Sequence, residues 1–165
     1  MQEFENVFSN ILEKDEKIIK AYRPNRKTVW TAVFFWMIVI PLFWPILILG
    51  FPIIYPIYRL YLSKRAYAIT DRRILVRGGI IGVDYKALGL ESVNASVVNV
   101  GINDKVARRN TGTLEFGSPS TPIGMTNAQG GRANPFRFVH VDNPYQEHKE
   151  IQEIIDKVRE EHKKK

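Results

Sequence analysis

The side chains able to do chemistry are few. The 165-residue chain has three histidines and no cysteine. Thiolate nucleophiles, disulfides and Cys-based zinc or iron–sulfur sites are thereby excluded. His140, His148 and His162 show no metal-ligand spacing such as H-x3-H, so only an all-carboxylate metal site stays open and no cofactor is expected. Ser118 and Ser120 flank Pro119 without the G-x-S-x-G elbow of a serine nucleophile. Gly130-Gly131 lacks the strand–glycine–helix setting of a phosphate loop. His140 shares a strand face with Phe136 and Phe138, a setting that suits a hydrogen-bonded structural histidine better than a general base. Asp104, Glu115 and His140 are the remaining acid–base candidates, and no motif gathers them. These residues point to a binding protein, not an enzyme.

The cations are more informative. The net charge is +7, and residues 59–143 hold twelve Lys/Arg against six Asp/Glu, whereas 1–27 hold six against five and 144–165 six against six. Arg65, Arg72, Arg73 and Arg77 cluster around one expected hairpin, where guanidinium forks suit phosphate and anionic lipid headgroups. The competing reading is edge-strand charge, or an ion pair with Asp71. Lys105, Arg108 and Arg109 form a second basic cluster beside Asn110, read as a solvated loop or as a further phosphate or partner contact. Nucleic acid is disfavoured, because no aromatic residues interleave with these charges.

Between the flanks lies a segment without charge from Thr28 through Tyr58. It starts too late and runs too long for a signal peptide. Its aromatic density, including Trp30, Trp36 and Trp44, suits lipid better than a soluble core. One straight helix from Val29 to Leu62 would measure on the order of 50 Å, beyond a hydrocarbon core of about 30 Å. Pro41, Pro45, Pro52 and Pro56 also oppose an uninterrupted helix, with Pro41–Pro45 the natural bend. Arg23, Arg26 and Lys27 precede the segment, and Arg59, Lys64 and Arg65 follow it. Basic flanks favour the cytoplasmic side, so an even number of crossings satisfies both ends. The expectation is a short transmembrane, or re-entrant, hairpin over 28–62, with both termini cytoplasmic.

Around this segment the remaining elements are ordinary. Phe4, Val7, Phe8, Ile11 and Leu12 recur at helical spacing and predict a helix over 3–14 whose uncharged face packs on protein. Lys17–Tyr22 reads as a strand. Beyond Lys64 the period becomes two: strands are expected at Tyr67–Thr70, Arg73–Arg77, Ile80–Leu88, Val93–Val100, Thr113–Phe116 and Phe136–Val141, with a two-residue turn at Gly78-Gly79. The stretch Gly117–Pro135 is a long polar loop, with room for one weak strand near Ile123–Thr126. Asn143 and Pro144 open a helix over 144–163, with an apolar stripe at Ile151, Ile154, Ile155 and Val158.

The order Asp15-Glu16…Arg23-Pro24, apolar hairpin, Tyr67-Ala-Ile-Thr70-Asp71-Arg72-Arg73…Arg77-Gly78-Gly79, then Asn143-Pro144 resembles the bacterial pleckstrin-homology-like membrane proteins over nearly the whole chain. The resemblance implies an α+β architecture: an N-terminal segment 1–27, a membrane hairpin 28–62, and an antiparallel β barrel or sandwich at 63–165 capped by the C-terminal helix. It also implies no catalytic activity, and binding or scaffolding at the membrane. The expected partners are the bilayer with its anionic lipids, a membrane protein, or further copies of the chain. Asp104–Arg109 and the long loop before Phe136 depart from the family pattern and leave the local strand pairing open.

Overall fold

The protein, seen as a computed structural model, is described over residues 2–25, 44–79, 82–106, 109–124 and 134–163. Helix α1 (Gln2–Phe8) leads into strand β1 (Ile18–Tyr22). Helix α2 (Trp44–Lys64) follows, then strands β2 (Ala66–Thr70), β3 (Arg73–Gly78) and β4 (Asp84–Gly89). A 3-10 turn (Leu90–Ser92) connects to β5 (Ala95–Asn99). Then come a short helix α3 (Ile102–Val106), strands β6 (Thr111–Gly117) and β7 (Arg137–Asp142), and helix α4 (Pro144–Lys163).

The strands form two antiparallel sheets, β1-β2-β3-β4 and β5-β6-β7. Alternation explains why they stack. Tyr67 and Ile69 on β2, with Ile74 and Val76 on β3, turn inward to meet Leu114, Phe116 and Phe138 of the second sheet. Tyr67 stacks on Phe138 at 4.7 Å between ring centroids. Ile151 and Ile155 of α4 are fully buried in the same core, so the stripe read from sequence closes it. This is the antiparallel sandwich with a C-terminal helical cap that the resemblance implies.

The outer face of the first sheet is covered by the N-terminal arm. Phe8 is completely buried against Ala66, Ala68 and Leu75. The arm therefore packs on protein, but α1 is shorter than the periodicity suggests. The Ser9 hydroxyl bonds back to the Asn6 carbonyl, and Ser, like Asn, diverts helix backbone into local bonds. Asp15 then takes a positive φ of 69°, which turns the chain into β1.

Strand β1 pairs with β2 in the register Tyr22↔Tyr67 and Ala21↔Ala68. The sheet thus draws on both sides of the apolar segment, and that segment is an insertion between two paired neighbours. Residues 26–43 of it, with Trp30, Trp36 and Pro41, lie outside the described residues. Over the remainder the structure displays one helix, opened by Trp44 and Pro45, where the second arm of the hairpin was expected; the first arm lies outside the described residues. That helix runs through Pro52 and Pro56. Each proline costs one backbone bond, and the prolines' spacing of four confines the defect to one face. Among the described residues no helix is long and apolar enough to cross a membrane.

Two further expectations are corrected. Strand β3 ends at Gly78 and β4 begins at Asp84, its register partner, so five residues and not two separate the paired strands; Ile80 and Ile81 lie outside the described residues. Gly79 adopts φ 112°, and a Cβ there would strike the Gly82 carbonyl oxygen. The Asp104–Arg109 stretch, read as a loop, begins inside helix α3. Ile123 and Gly124 form a turn, and the rest of that expected strand lies outside the described residues.

Candidate functional site

Antiparallel order decides where the loops meet. The chain leaves β1 and re-enters β2 at the same end of the first sheet at which β3 turns into β4, since Ala66 faces Arg77 and Gly78 faces Asp84. The approach to β7 reaches this end too. Between them is a cleft of about 430 Å³, lined among others by Tyr61, Arg65, Asp84, Lys86, Asn134 and Arg137. Among the described residues of its walls, three cations against one carboxylate leave a charge of +2 (3 − 1).

Each cation is held differently. The Arg65 guanidinium lies over the Tyr61 ring, 4.1 Å from its centroid, and donates to the Tyr61 hydroxyl. Arg137 Nε lies 2.8 Å from Glu115 Oε1, a carboxylate almost wholly buried on β6. Glu115 and Arg137 are register partners across the β6–β7 ladder. Lys86 stands exposed on β4 opposite Val76.

Donors here outnumber acceptors. Arg65 Nε is buried without a hydrogen-bond partner. The Tyr67 hydroxyl, beside Arg65 and the Val139 backbone, likewise makes no hydrogen bond of good geometry. Burial raises the Tyr67 phenol pKa, with Arg65 and Arg137 opposing the rise, so the group stays a donor at neutral pH. A buried donor without an acceptor costs about 1–3 kcal/mol. An anion seated in the cleft would meet the Arg65, Lys86 and Arg137 cations by charge-assisted bonds.

The arginines grouped by the sequence do not form one patch. Arg65 lines the cleft. Arg77 is close by but turns to the outer face, 5.9 Å above the Tyr85 ring. Arg72 and Arg73 sit at the opposite end of β3, in and after the β2–β3 turn, and both pair with the N-terminal arm. Arg72 reaches Glu13 at 3.3 Å. Arg73 bonds Glu16 at 2.7 Å and the Ile11 carbonyl at 2.8 Å. The pairing expected with Asp71 is thus made with Glu13 and Glu16. Lys105 is exposed on α3 and Arg109 half-buried after it; Arg108 lies outside the described residues. Lys86 and Arg137 were not singled out from sequence, because only the strand register brings them to Arg65.

Other candidates for chemistry are engaged elsewhere. Ser96 Oγ lies 2.8 Å from His148 Nε2 and 2.9 Å from Gln152 Oε1. Gln152 donates its amide to Asp156, which leaves Oε1 to accept the Ser96 proton. His148 must then donate to Ser96, the reverse of a base activating a nucleophile. Asp104 accepts from the Thr111 hydroxyl at 2.5 Å. Ser118, 1% exposed, is held in a turn with Ser120 and Thr121. Among the described residues no three His, Asp or Glu side chains are placed to hold a metal ion.

Residues 19–161 match the family described as Bacterial PH domain. No curated protein matches the sequence. A solved structure of a DUF1696 family protein with a pleckstrin-homology domain from Shewanella loihica is similar at 11% identity and a TM-score of 0.44, covering 96% of this chain and 95% of that one.

Proposed function

This chain belongs to the bacterial PH domain family, and we propose that it acts as a membrane-anchored, non-enzymatic module that holds anionic lipid headgroups at the cytoplasmic face of the inner membrane. The supporting observation is positional. The uncharged run Thr28–Tyr58 is inserted between the paired strands β1 and β2, at the sheet end where Arg65 and Lys86 line the cleft. Both ends of the insertion leave the sheet side by side, as an even number of crossings requires. A bilayer entered by that run would sit over the cleft mouth. There each cation contributes about 1 kcal/mol toward anionic lipid, and Arg65 of the cleft wall keeps its Nε without a hydrogen-bond partner.

The test uses the full chain in detergent with a short-chain phosphatidylglycerol and its phosphatidylcholine counterpart. We expect the anionic lipid to bind more tightly, and Lys86→Glu to weaken it about tenfold, since reversing one wall charge removes about 1–2 kcal/mol. Arg72→Ala, at the far end of β3, should leave binding unchanged. Equal binding of the two lipids would reject the headgroup reading. Release of the chain from washed membranes at alkaline pH without detergent would reject the anchor.

A further inference from the structure

Helix α3 overlaps one of the two stretches that depart from the family pattern, and its setting explains its shape. Asp104 is 7% exposed and accepts from Thr111 Oγ1. The Lys105 and Arg109 backbone N–H groups bond to Gly101 and Asp104 carbonyls at 3.1 and 2.9 Å. Residues two apart on a helix point about 200° apart. Pinning Asp104 inward therefore throws Ile102 outward, and Ile102 is 74% exposed, the most exposed large apolar residue described.

A single exposed isoleucine is ordinary; this one has a particular neighbourhood. Thr111, which holds Asp104, faces Asp142 across the β6–β7 ladder. Asp142 Oδ1 accepts from Asn25 Nδ2 at 2.8 Å, and the Asn25 backbone N–H bonds to the His140 carbonyl at 2.9 Å. Asn25 lies three residues before the uncharged run. On the return side, the Tyr58 hydroxyl lies 3.3 Å from His140 Nε2. The two stems of the apolar segment thus both touch the last turn of β7, and α3 is one ladder step away. Lys105, exposed on the same helix, and Arg109, half-buried just after it, follow Ile102 and supply the charge that an anionic surface complements.

We propose that α3 is a second seat on the bilayer, in which Ile102 dips into the boundary between headgroups and acyl chains while Lys105 and Arg109 meet anionic headgroups beside the stems of the apolar segment. The proposal rests on the anchored reading above and adds to it a fixed orientation. One anchor alone lets the sandwich swivel. A second contact away from the cleft sets which face the cleft presents to lipid.

The absence of cysteine makes the test direct. Full-length Ile102→Cys, Ile53→Cys and Glu160→Cys variants, each carrying an environment-sensitive fluorophore, are placed in phosphatidylglycerol–phosphatidylcholine vesicles. Quenching is then measured with a lipid-borne nitroxide and with aqueous iodide. Ile102 is solvent-facing, so the substitution does not disturb the core. The expected result is loss of Ile102 emission to the lipid nitroxide and protection from iodide, with the reverse at Glu160 near the distal end of α4. Introducing Lys105→Glu and Arg109→Glu should shift Ile102 back toward iodide. Iodide quenching at Ile102 equal to that at Glu160, while Ile53 is quenched by lipid, overturns the second seat and leaves the anchor standing. Iodide quenching at all three positions overturns both. Lipid quenching at Ile102 that ignores both charge reversals overturns the headgroup contacts.

Discussion

Tyr22 stands directly opposite Tyr67 across the β1–β2 ladder, although the whole apolar segment separates them in sequence. Both rings then pack on Phe138, at 5.7 and 4.7 Å between centroids. A hairpin normally joins neighbouring antiparallel strands with a few residues. Here the closure is carried by the core itself, because loop-closure entropy grows only slowly with length. That geometry places both stems of the insertion at one point, whatever the inserted residues do.

The N-terminal arm should be the acid-sensitive part of the molecule. Burial alone would raise the Glu16 pKa. Hydrogen bonds from Arg73, the Glu13 backbone N–H and Thr70 more than offset it and hold the carboxyl at about 2, against 4.5 ordinarily. The folded-state value is depressed, so the stabilisation is complete above about pH 4.5 and is lost as pH falls toward 2. That interval corresponds to about 3 kcal/mol. We expect Glu16→Gln to cost about 3 kcal/mol at pH 7, because it strands the Arg73 charge, and to flatten the acid limb. Amide exchange of β2 and β3 against pH reads both effects, and an unchanged acid limb in the variant would refute the assignment.

That clamp also shows where the sequence stops being legible. Glu16 and Arg73 are far apart in the chain, and nothing in either neighbourhood names the other. Helix α4 was legible to its ends, since Asn143-Pro144 marks its start and the isoleucine stripe its buried face. Strands β2 and β3 were legible from alternation bounded by Asp71-Arg72. The cleft was not, because Arg65, Lys86 and Arg137 come together only through the β3–β4 register and the approach to β7. Helix α3 has five residues, too few for a helical period to register.

The β3–β4 loop should tolerate change at one glycine and not at its neighbour. Gly79 sits at φ 112° with the Gly82 carbonyl where its Cβ would go, whereas a Cβ on Gly82 meets nothing within 4 Å. Gly79→Ala is expected to cost about 1–3 kcal/mol and to weaken binding of the anionic lipid, because Gly79 also lines the cleft. Gly82→Ala should be near neutral in both. Thermal unfolding of the two variants side by side decides it: equal losses would mean that the loop conformation is not what fixes the cleft.

Strand β1 depends on α4 for its placement. Glu147 accepts from Lys20 Nζ at 2.9 Å and from the Tyr22 hydroxyl at 2.6 Å, and Lys20 also pairs with Glu150. Burial drives the Tyr22 phenol pKa upward and Glu147 adds to it, so Tyr22 remains a donor across the accessible range. Glu147→Ala removes one partly buried ion pair and one hydrogen bond, an expected loss of about 1–2 kcal/mol. Because these contacts hold the strand from which the insertion departs, exchange should quicken at Ile18–Tyr22 before the rest of the sheet. Uniform quickening across both sheets would show that β1 has no separate dependence on the helix.

His140 joins the foot of α2 to β7 under backbone strain. Its φ is 55°, the left-handed region that a histidine enters at a cost of about 1 kcal/mol, and its ring meets the Tyr58 hydroxyl. Burial pushes its pKa below the usual 6.5, with Asp104 pulling it back and Arg65 adding to the fall. The unfolded or detached state therefore binds the proton more readily, and the contact is lost as pH drops below about 6.5. Exchange at residues 58–65, corrected for intrinsic rates, should rise between about pH 7 and pH 5 while that of β2 and β3 stays level. His140→Asn tolerates the same backbone region but lacks the titrating ring, so it should abolish the pH step while leaving the sheet intact. A step that survives in His140→Asn would transfer the effect to another group and end the case for this histidine.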